Sequence, residues 1–285
     1  MCGKLARMEV YDVIVVGGGP AGMMAAGKAA EKRKGTGEKV LLLDKNKQLG
    51  EKLSITGGGR CNITNAEEDI HVFLNNYGES KQFLYSPLSQ FGVQDTFSFF
   101  EQRGLPLVVE ARKRAFPKTQ RAADVTKAMK EYVHRVGVSV ESSTRVLTVK
   151  KDEDGTFKLK TSKGTFMGKN LILASGGLSH KETGSTDDGF SFMEALGHTV
   201  HKPTPTIVPL MVADQWVKSI SGVSLSFMKI NFFLDGLRKF SKTGKILFTH
   251  FGLSGPLILN SAHEVGKLLD EGKRNNSVTA TIDMY

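Results

Sequence analysis

The chain has 285 residues, of which 40% are hydrophobic, so it is long enough to bury a core and to form two domains. Basic residues exceed acidic ones by 39 to 29, but the surplus is scattered and not interleaved with aromatic residues, which argues against nucleic acid as a partner. The sequence contains neither a membrane-spanning apolar run nor a C-x-x-C pair, so it indicates a cytoplasmic protein without a disulfide framework.

The first predicted elements are a strand, a glycine turn and a helix. Val13–Val16 is an apolar, β-branched run, typical of a strand buried on both faces. It leads into G-x-G-x-x-G, whose glycines permit a tight turn, the approach of a pyrophosphate and close packing of the helix. The helix N-terminus favours phosphate groups. The predicted dinucleotide-binding residues are Gly17, Gly18, Gly19, Pro20, Ala21 and Gly22.

A second apolar strand, Val40–Leu43, strengthens this prediction. It ends in Asp44, where an acidic side chain can hold an adenosine ribose, and Lys45 follows. The alternative is a glycine-rich turn that holds no ligand. The order strand, turn, helix, strand favours the dinucleotide site.

The next segment, residues 50–65, reads GEKLSITGGGRCNITN. Three consecutive glycines lose much backbone entropy on folding, so we expect a ligand to approach this backbone closely. A surface loop is the alternative. Cys61 is expected to be a packed side chain, since no partner base is identifiable. The candidate binding residues are Lys52, Thr56, Gly57, Gly58, Gly59, Arg60, Cys61 and Asn62.

This segment resembles the signature of the aminoacetone-oxidase-like, BaiN-like family of bacterial NAD(P)/FAD-dependent oxidoreductases. The resemblance implies an α/β fold: a Rossmann-type FAD-binding domain of the glutathione-reductase type, with a helical excursion at about 66–136 and an inserted, mostly β domain. It also implies that the first glycine turn holds the FAD pyrophosphate and that GGGRCN lies along the cofactor.

The middle of the chain is predicted to be helical and then to form a hairpin. The aromatic residues Phe83, Phe91, Phe99 and Phe100 recur at helical spacing, which is more typical of a core than of a cofactor site. A packing helix is predicted from Ala122 to Val136, where Gly137 ends it. Strands at 144–151 and 157–162 flank the turn signal Asp154-Gly155. In the resemblance, Val146 lies near the adenine.

A further short strand, Leu171–Ala174, ends in Ser175-Gly176-Gly177. The resemblance implies that Ala174, Ser175 and Gly176 approach the FAD again. The following ETGSTDDGF is similar to the family's TGSTGDGY, and Asp188 is expected to cap a helix that runs through Leu196.

Beyond His201 the prolines Pro203, Pro205 and Pro209 change the composition, and residues 223–237 and 245–248 are predicted strands. We therefore expect an FAD-binding domain at 1–200 and an incomplete, mostly β domain at 201–285. His250, in THFGLSGP, is the most attractive titratable group, but a hydrogen-bonded structural histidine is the favoured role because no partner can be named. His198 and His201 form an H-x-x-H without further ligands, so no metal site is expected.

The resemblance also implies that family members continue beyond Tyr285, with a returning glycine-rich segment that completes the FAD domain. The sequence is therefore expected to be an N-terminal portion that retains FAD weakly.

The function predicted is that of an FAD-dependent oxidoreductase acting on a small molecule. The flavin would be reduced by transiently bound NAD(P)H and reoxidised by a small organic acceptor or oxygen. Arg60 could stabilise the negative charge of the reduced flavin. A flavin-containing RNA-modifying or RNA-binding protein and a plain nicotinamide dehydrogenase are the alternatives. The sequence identifies no catalytic acid or base, no specific substrate and no oligomeric state.

Overall fold

The structure is a computed structural model that describes residues 9–201, 203–204, 206–271 and 278–283. Pro205 and Tyr285, which enter the sequence predictions, lie outside the described residues, as does Cys2 near the N-terminus. Contacts between Cα atoms divide the chain into two units, Met1–Val200 and His201–Tyr285.

The first unit alternates strands and helices. Its strands are β1 (Val10–Val16), β2 (Val40–Leu43), β3 (Thr64–Asn65), β4 (Leu107–Glu110), β5 (Arg114–Pro117), β6 (Ser139–Glu141), β7 (Val146–Lys151), β8 (Phe157–Thr161) and β9 (Gly164–Leu173). Its helices are α1 (Pro20–Lys32), α2 (Glu51–Gly59), α3 (Ile70–Leu74), α4 (Lys81–Gln90), α5 (Val93–Glu101), α6 (Ala122–Arg135) and α7 (Asp188–Ala195). Short 3-10 turns lie at Asn75–Ser80, Ala111–Lys113 and Lys181–Thr183.

A six-stranded sheet in the order β6-β2-β1-β9-β8-β7 carries the first unit. Strand β1 pairs in parallel with β2, where Val13 faces Val40, and in parallel with β9, where Val13 faces Asn170. Strands β7 and β8 form the antiparallel hairpin predicted around Asp154-Gly155. This strand order confirms the Rossmann-type α/β fold.

The central strands β1 and β2 of this sheet are buried on both faces, as the apolar run of β1 predicts. Val13 and Val15 pack with helices α1 and α6 on one face, while Ile14 and Val16 pack with the hairpin and α7 on the other. Strand β9 begins earlier than the predicted 171–174, because its first half also pairs with β8 in an antiparallel ladder.

The region between β2 and β6 contains helices and a small sheet, β3-β5-β4. Phe99 and Phe100 are buried as predicted, and α6 ends before Gly137, whose φ is +82°. The prediction that Phe83 lies in the core is wrong, because this side chain is 82% exposed. Its helix, α4, packs mainly against α3 and the 3-10 turn at Asn75–Ser80 and buries none of its residues.

The second unit is an antiparallel sheet with a long helix. Its elements are β10 (Leu210–Met211), α8 (Gln215–Ser219), β11 (Ser224–Leu234), β12 (Leu237–Thr249), β13 (Gly252–Ser254), α9 (Pro256–Glu271) and β14 (Val278–Asp283). The sheet order is β10-β13-β12-β11-β14, and α9 packs against β12. The predicted strand 223–237 is interrupted at Asp235-Gly236, where φ values of +52° and +78° form a tight turn.

None of the helices among the described residues combines the length and the apolar character needed to cross a lipid bilayer.

Candidate functional site

The first glycine turn joins β1 to α1 in a form that requires glycine. Gly17 has a φ of +110°, and a Cβ atom there would collide with the carbonyl of Ala174. A Cβ on Gly22 would collide with the carbonyl oxygen of Gly17. A Cβ on Gly19 would instead meet nothing within 4 Å. The turn is thus tightly packed behind Gly17 and Gly22 and open in front of Gly19.

The open side of this turn lies at the N-terminus of α1. No side chain caps this helix, so its first N–H groups are available to an anion. Asp44 lies opposite, directly after β2. One of its carboxylate oxygens accepts a hydrogen bond from Gly18 N–H, and the other accepts one from Asn46 N–H at 2.6 Å. Each oxygen keeps a further lone pair that a ribose hydroxyl can use.

The turn opens onto a cavity of about 360 Å³. The cavity brings together eleven of the predicted binding residues: Gly17, Gly19, Pro20, Ala21, Asp44, Lys45, Lys52, Val146, Ala174, Ser175 and Gly176. Leu43, Val146 and Phe192 supply apolar wall, while the glycine turns supply backbone N–H groups. An apolar slot beside an anion-binding turn suits an adenosine diphosphate group, so the residues present fit the predicted dinucleotide.

The other predicted residues do not border this cavity. Gly18 and Gly22 lie in the packed side of the first turn, where Gly18 is held by Asp44. The remainder form one continuous stretch, which begins in the last part of α2 where the backbone departs from helical geometry: Thr56, Gly57, Gly58, Gly59, Arg60, Cys61 and Asn62.

The stretch 56–62 is an exposed glycine turn that is fixed at its end. Gly57, Gly58 and Gly59 have φ values of +58°, +67° and +83°, and a Cβ on Gly58 or Gly59 would meet nothing within 4 Å. Cys61 is buried and donates its backbone N–H to Thr56 O at 3.0 Å. Burial raises the pKa of the Cys61 thiol above its ordinary value, and a hydrogen bond with Thr56 opposes this only in part. The packed cysteine therefore has little thiolate character near neutral pH.

One wall of the cavity is a segment that sequence reasoning did not assign to the site. Residues 179–188, here called the strap, contribute Thr183, Gly184, Ser185, Thr186 and Asp188 to the lining. The only sequence signal for it was the similarity of ETGSTDDGF to the family's TGSTGDGY.

Side chains from the opposite wall hold the strap. Lys52 donates to Ser179 O at 2.7 Å and to the Ser185 hydroxyl. Asn46 Nδ2 donates to Thr183 O at 2.9 Å. These side chains lie more than 120 positions from their partners in sequence, so no local pattern could reveal the contacts.

Asp188 is the charged anchor of the strap. Its carboxylate accepts a hydrogen bond from Arg145 at 3.1 Å and lies 3.7 Å from Lys45 Nζ. Burial acts to raise the pKa of Asp188, but hydrogen bonds from Thr186 and Arg145 and the charges of Arg145 and Lys45 hold it below its ordinary value. The expectation that Asp188 caps α7 is wrong, because α7 begins at Asp188 and its carboxylate is used in these contacts.

The histidines singled out in the sequence lie outside this cavity. The His250 ring makes an edge contact with Phe251, with centroids 4.9 Å apart. Among the described residues there is no group of three or more His, Cys, Asp or Glu side chains that could hold a metal ion. The cavity therefore has the shape and the polar groups for a dinucleotide, and none of its residues is assigned as a catalytic acid or base.

Comparison with known proteins places this geometry in a family. The model of the HI0933-like protein Rossmann domain matches residues 11–250. The chain is 30% identical over 259 residues to a 3-dehydro-bile acid delta(4,6)-reductase of Clostridium scindens, covering 91% of this chain and 61% of that protein. It is 28% identical over 256 residues to a ribosomal RNA dihydrouridine synthase of Haemophilus influenzae, covering 88% and 61%.

Among solved structures, the open conformation of a flavocytochrome c3 fumarate reductase is similar with a TM-score of 0.53 and 18% identity. The similarity covers 78% of this chain and 48% of that one, and it supports the fold alone. The chain spans about three fifths of the length of the two curated relatives.

Proposed function

Because the chain belongs to the HI0933-like Rossmann-domain family, we propose that it is an FAD-dependent oxidoreductase that binds the adenosine diphosphate half of FAD in the cavity of the first unit. One observation carries the proposal: the open space in front of Gly19 adjoins both the uncapped N-terminus of α1 and the carboxylate of Asp44. These are the groups that recognise a pyrophosphate and a ribose.

In this proposal the residues of the chain bind and orient, and FAD, when bound, supplies the redox chemistry. Gly19, Ala21 and the turn at Ser175 hold the pyrophosphate by backbone N–H groups, while Asp44 accepts hydrogen bonds from the ribose. The apolar residues Leu43, Val146 and Phe192 exclude water from the adenine. The stretch 56–62, which leaves open space beside Gly58 and Gly59, gives a flat ring room to lie against backbone.

The direct test is the visible spectrum of the purified protein, followed by release and identification of its cofactor. We expect FAD, or stoichiometric uptake of added FAD. A colourless protein that binds no FAD would overturn the proposal. Bleaching of the bound flavin by NADH or NADPH in the absence of oxygen would support the proposed transient nicotinamide donor, and failure with both would remove that donor.

RNA as the substrate is the second candidate, since the ribosomal RNA dihydrouridine synthase of Haemophilus influenzae is a relative. Although the surplus of positive charge is scattered along the sequence, five exposed basic residues lie close together between β4 and α6, and they favour this candidate: Arg112, Lys113, Arg114, Lys118 and Arg121. Binding of RNA that weakens steeply as salt rises would support it. Oxidation of the reduced flavin by small enones but not by RNA would favour the small-molecule substrate.

A further inference from the structure

Arg60 is held by side chains of the small sheet region. Its Nη2 forms an ion pair with Glu110, the last residue of β4, and its Nε donates to Gln120 Oε1 at 2.7 Å. Its guanidinium carbon lies 4.1 Å from the centre of the Phe116 ring, which is buried. Gln120 also donates to the same Glu110 oxygen at 3.4 Å. The guanidinium therefore has partners on two edges and on one face.

The stretch that carries Arg60 has a backbone that needs such support. Cys61, two residues after the last of the three left-handed glycines, has a φ of +61°. Gln120, which accepts a hydrogen bond from Arg60, has a φ of +57°. A residue with a side chain rarely adopts such a left-handed conformation and keeps it only when surrounding contacts impose it. Ile63, the residue after the stretch 56–62, donates its backbone N–H to Ala115 O at 2.8 Å. This bond joins the end of the stretch to β5.

We propose that Arg60 is a positioning residue: through Glu110, Gln120 and Phe116 it fixes the stretch 56–62 against the small sheet in the shape that receives the flavin. Its charge is balanced within the protein by Glu110, which distinguishes this role from direct stabilisation of a reduced cofactor. The consequence for FAD rests on the proposed function, whereas the fixing of the stretch does not.

Cys61 provides a reporter for this role that needs no cofactor. Its side chain is 2% exposed, so a thiol reagent reaches it only when the stretch opens. In a Cys2→Ser background, Cys61 is the one remaining cysteine of the sequence. The rate of its reaction with a disulfide reagent under native conditions then measures the opening of the stretch.

We expect Arg60→Gln and Glu110→Gln each to raise this rate about tenfold, the change that corresponds to about 1.4 kcal/mol. Because both substitutions break the same ion pair, the double variant should react no more than about twofold faster than either single one. The matched control is Arg121→Gln, which removes an exposed arginine just before α6 and should leave the rate unchanged.

Two results would overturn the proposal. The first is an unchanged rate in Glu110→Gln, or rates that multiply in the double variant, because the two side chains would then act independently. The second is an increase in rate matched by an equal loss of global stability in thermal melting, since the pair would then stabilise the whole unit rather than this stretch.

The FAD arm is measured separately on the same proteins. If the stretch lies along the cofactor, added FAD slows labelling of Cys61 in the unsubstituted background, and Arg60→Gln and Glu110→Gln both weaken FAD binding. A direct charge effect on the flavin would instead shift its midpoint potential in opposite directions in these two variants. Absence of FAD protection would count against the proposed function while leaving the labelling result intact.

Discussion

At the scale of single residues, two glycines three positions apart in the first turn have opposite surroundings. A Cβ atom at Gly22 would collide with the carbonyl oxygen of Gly17, whereas a Cβ atom at Gly19 would extend into open space. We expect Gly22→Ala to destabilise the protein by about 2–4 kcal/mol, because backbone must move to admit the methyl group. Chemical denaturation measures this loss.

Gly19→Ala is the matched substitution. The φ of Gly19 is −72°, which any residue adopts, so we expect its free energy of unfolding to stay within about 0.5 kcal/mol of the original. Its methyl group occupies the space proposed for the pyrophosphate, so FAD affinity should fall about tenfold or more. Equal effects of the two substitutions on stability would show that the turn is not packed as described.

Tyr132 links stability to pH. Its ring is 3% exposed, and burial, with the charge of nearby Glu31, raises the pKa of its hydroxyl above the ordinary value. A pKa raised in the folded state contributes stability that is complete below the unfolded-state value of about 10 and is lost as pH rises above it.

We therefore expect the free energy of unfolding to decline above about pH 10 and Tyr132→Phe to reduce that decline. Equilibrium denaturation of both proteins from about pH 8 to about pH 11 checks this expectation, because this range includes the pKa of tyrosine in the unfolded chain. Parallel curves would show that the phenol is not protected from ionisation by the fold.

At the scale of elements, the strap is joined to the rest of the first unit by four side chains: Lys45, Asn46, Lys52 and Arg145. Asp188→Asn removes the charge that Arg145 and Lys45 share while keeping the shape of the side chain. We expect faster proteolysis within 179–188 and FAD affinity lowered about three- to tenfold, because the strap forms a wall of the cavity. Limited proteolysis with and without FAD measures both effects.

Asp187→Asn serves as the control for the strap, since it changes the neighbouring carboxylate, which accepts no hydrogen bond from the N–H groups at the start of α7. A strap equally sensitive to protease in the two variants would contradict the assigned role of Asp188.

The elements that could be predicted are those fixed by local pattern. The run Val13–Val16 with its glycine turn, the strand Val40–Leu43 and the amphipathic helix α6 each carry a periodicity that tertiary packing reinforces. The helical spacing of Phe83 predicts a core position, but spacing identifies a buried face only if another element packs on that face. Nothing among the described residues covers Phe83, so the prediction fails. The turn at Asp235-Gly236 carried a recognised dipeptide signal that the prediction of one long strand overlooked.

Most of the candidate site that could be predicted lies where residues follow strand ends. The glycine turn, Asp44 and Ala174–Gly176 all come after parallel strands, and these ends meet at one edge of the sheet. The contacts of Lys52 with the strap and of Arg60 with Glu110 join distant segments through long side chains. Nothing in the local sequence specifies such partners.

At the scale of the whole molecule, each unit has its own apolar core. Ile246, fully buried in the second unit, contacts other side chains of 201–285, whereas Leu41 belongs to the sheet of the first unit. We expect Ile246→Ala to cost about 2–4 kcal/mol in the second unit while leaving FAD affinity unchanged, and Leu41→Ala to lower FAD affinity as well. Calorimetric melting and FAD titration of both variants test this separation. A loss of FAD affinity in Ile246→Ala would show that the two cores are energetically coupled.

The pairing of β1 with β9 determines when the cavity can first exist in a growing polypeptide. Gly17 packs against the carbonyl of Ala174, so the first glycine turn lacks its rear support until the ribosome has added roughly 150 further residues. At about 5–20 residues per second, that interval lasts on the order of 8–30 s, during which one edge of β1 has no partner. Chaperones can protect the unpaired edge of β1 during this interval. FAD can assist folding only after β9 has been synthesised and has paired with β1.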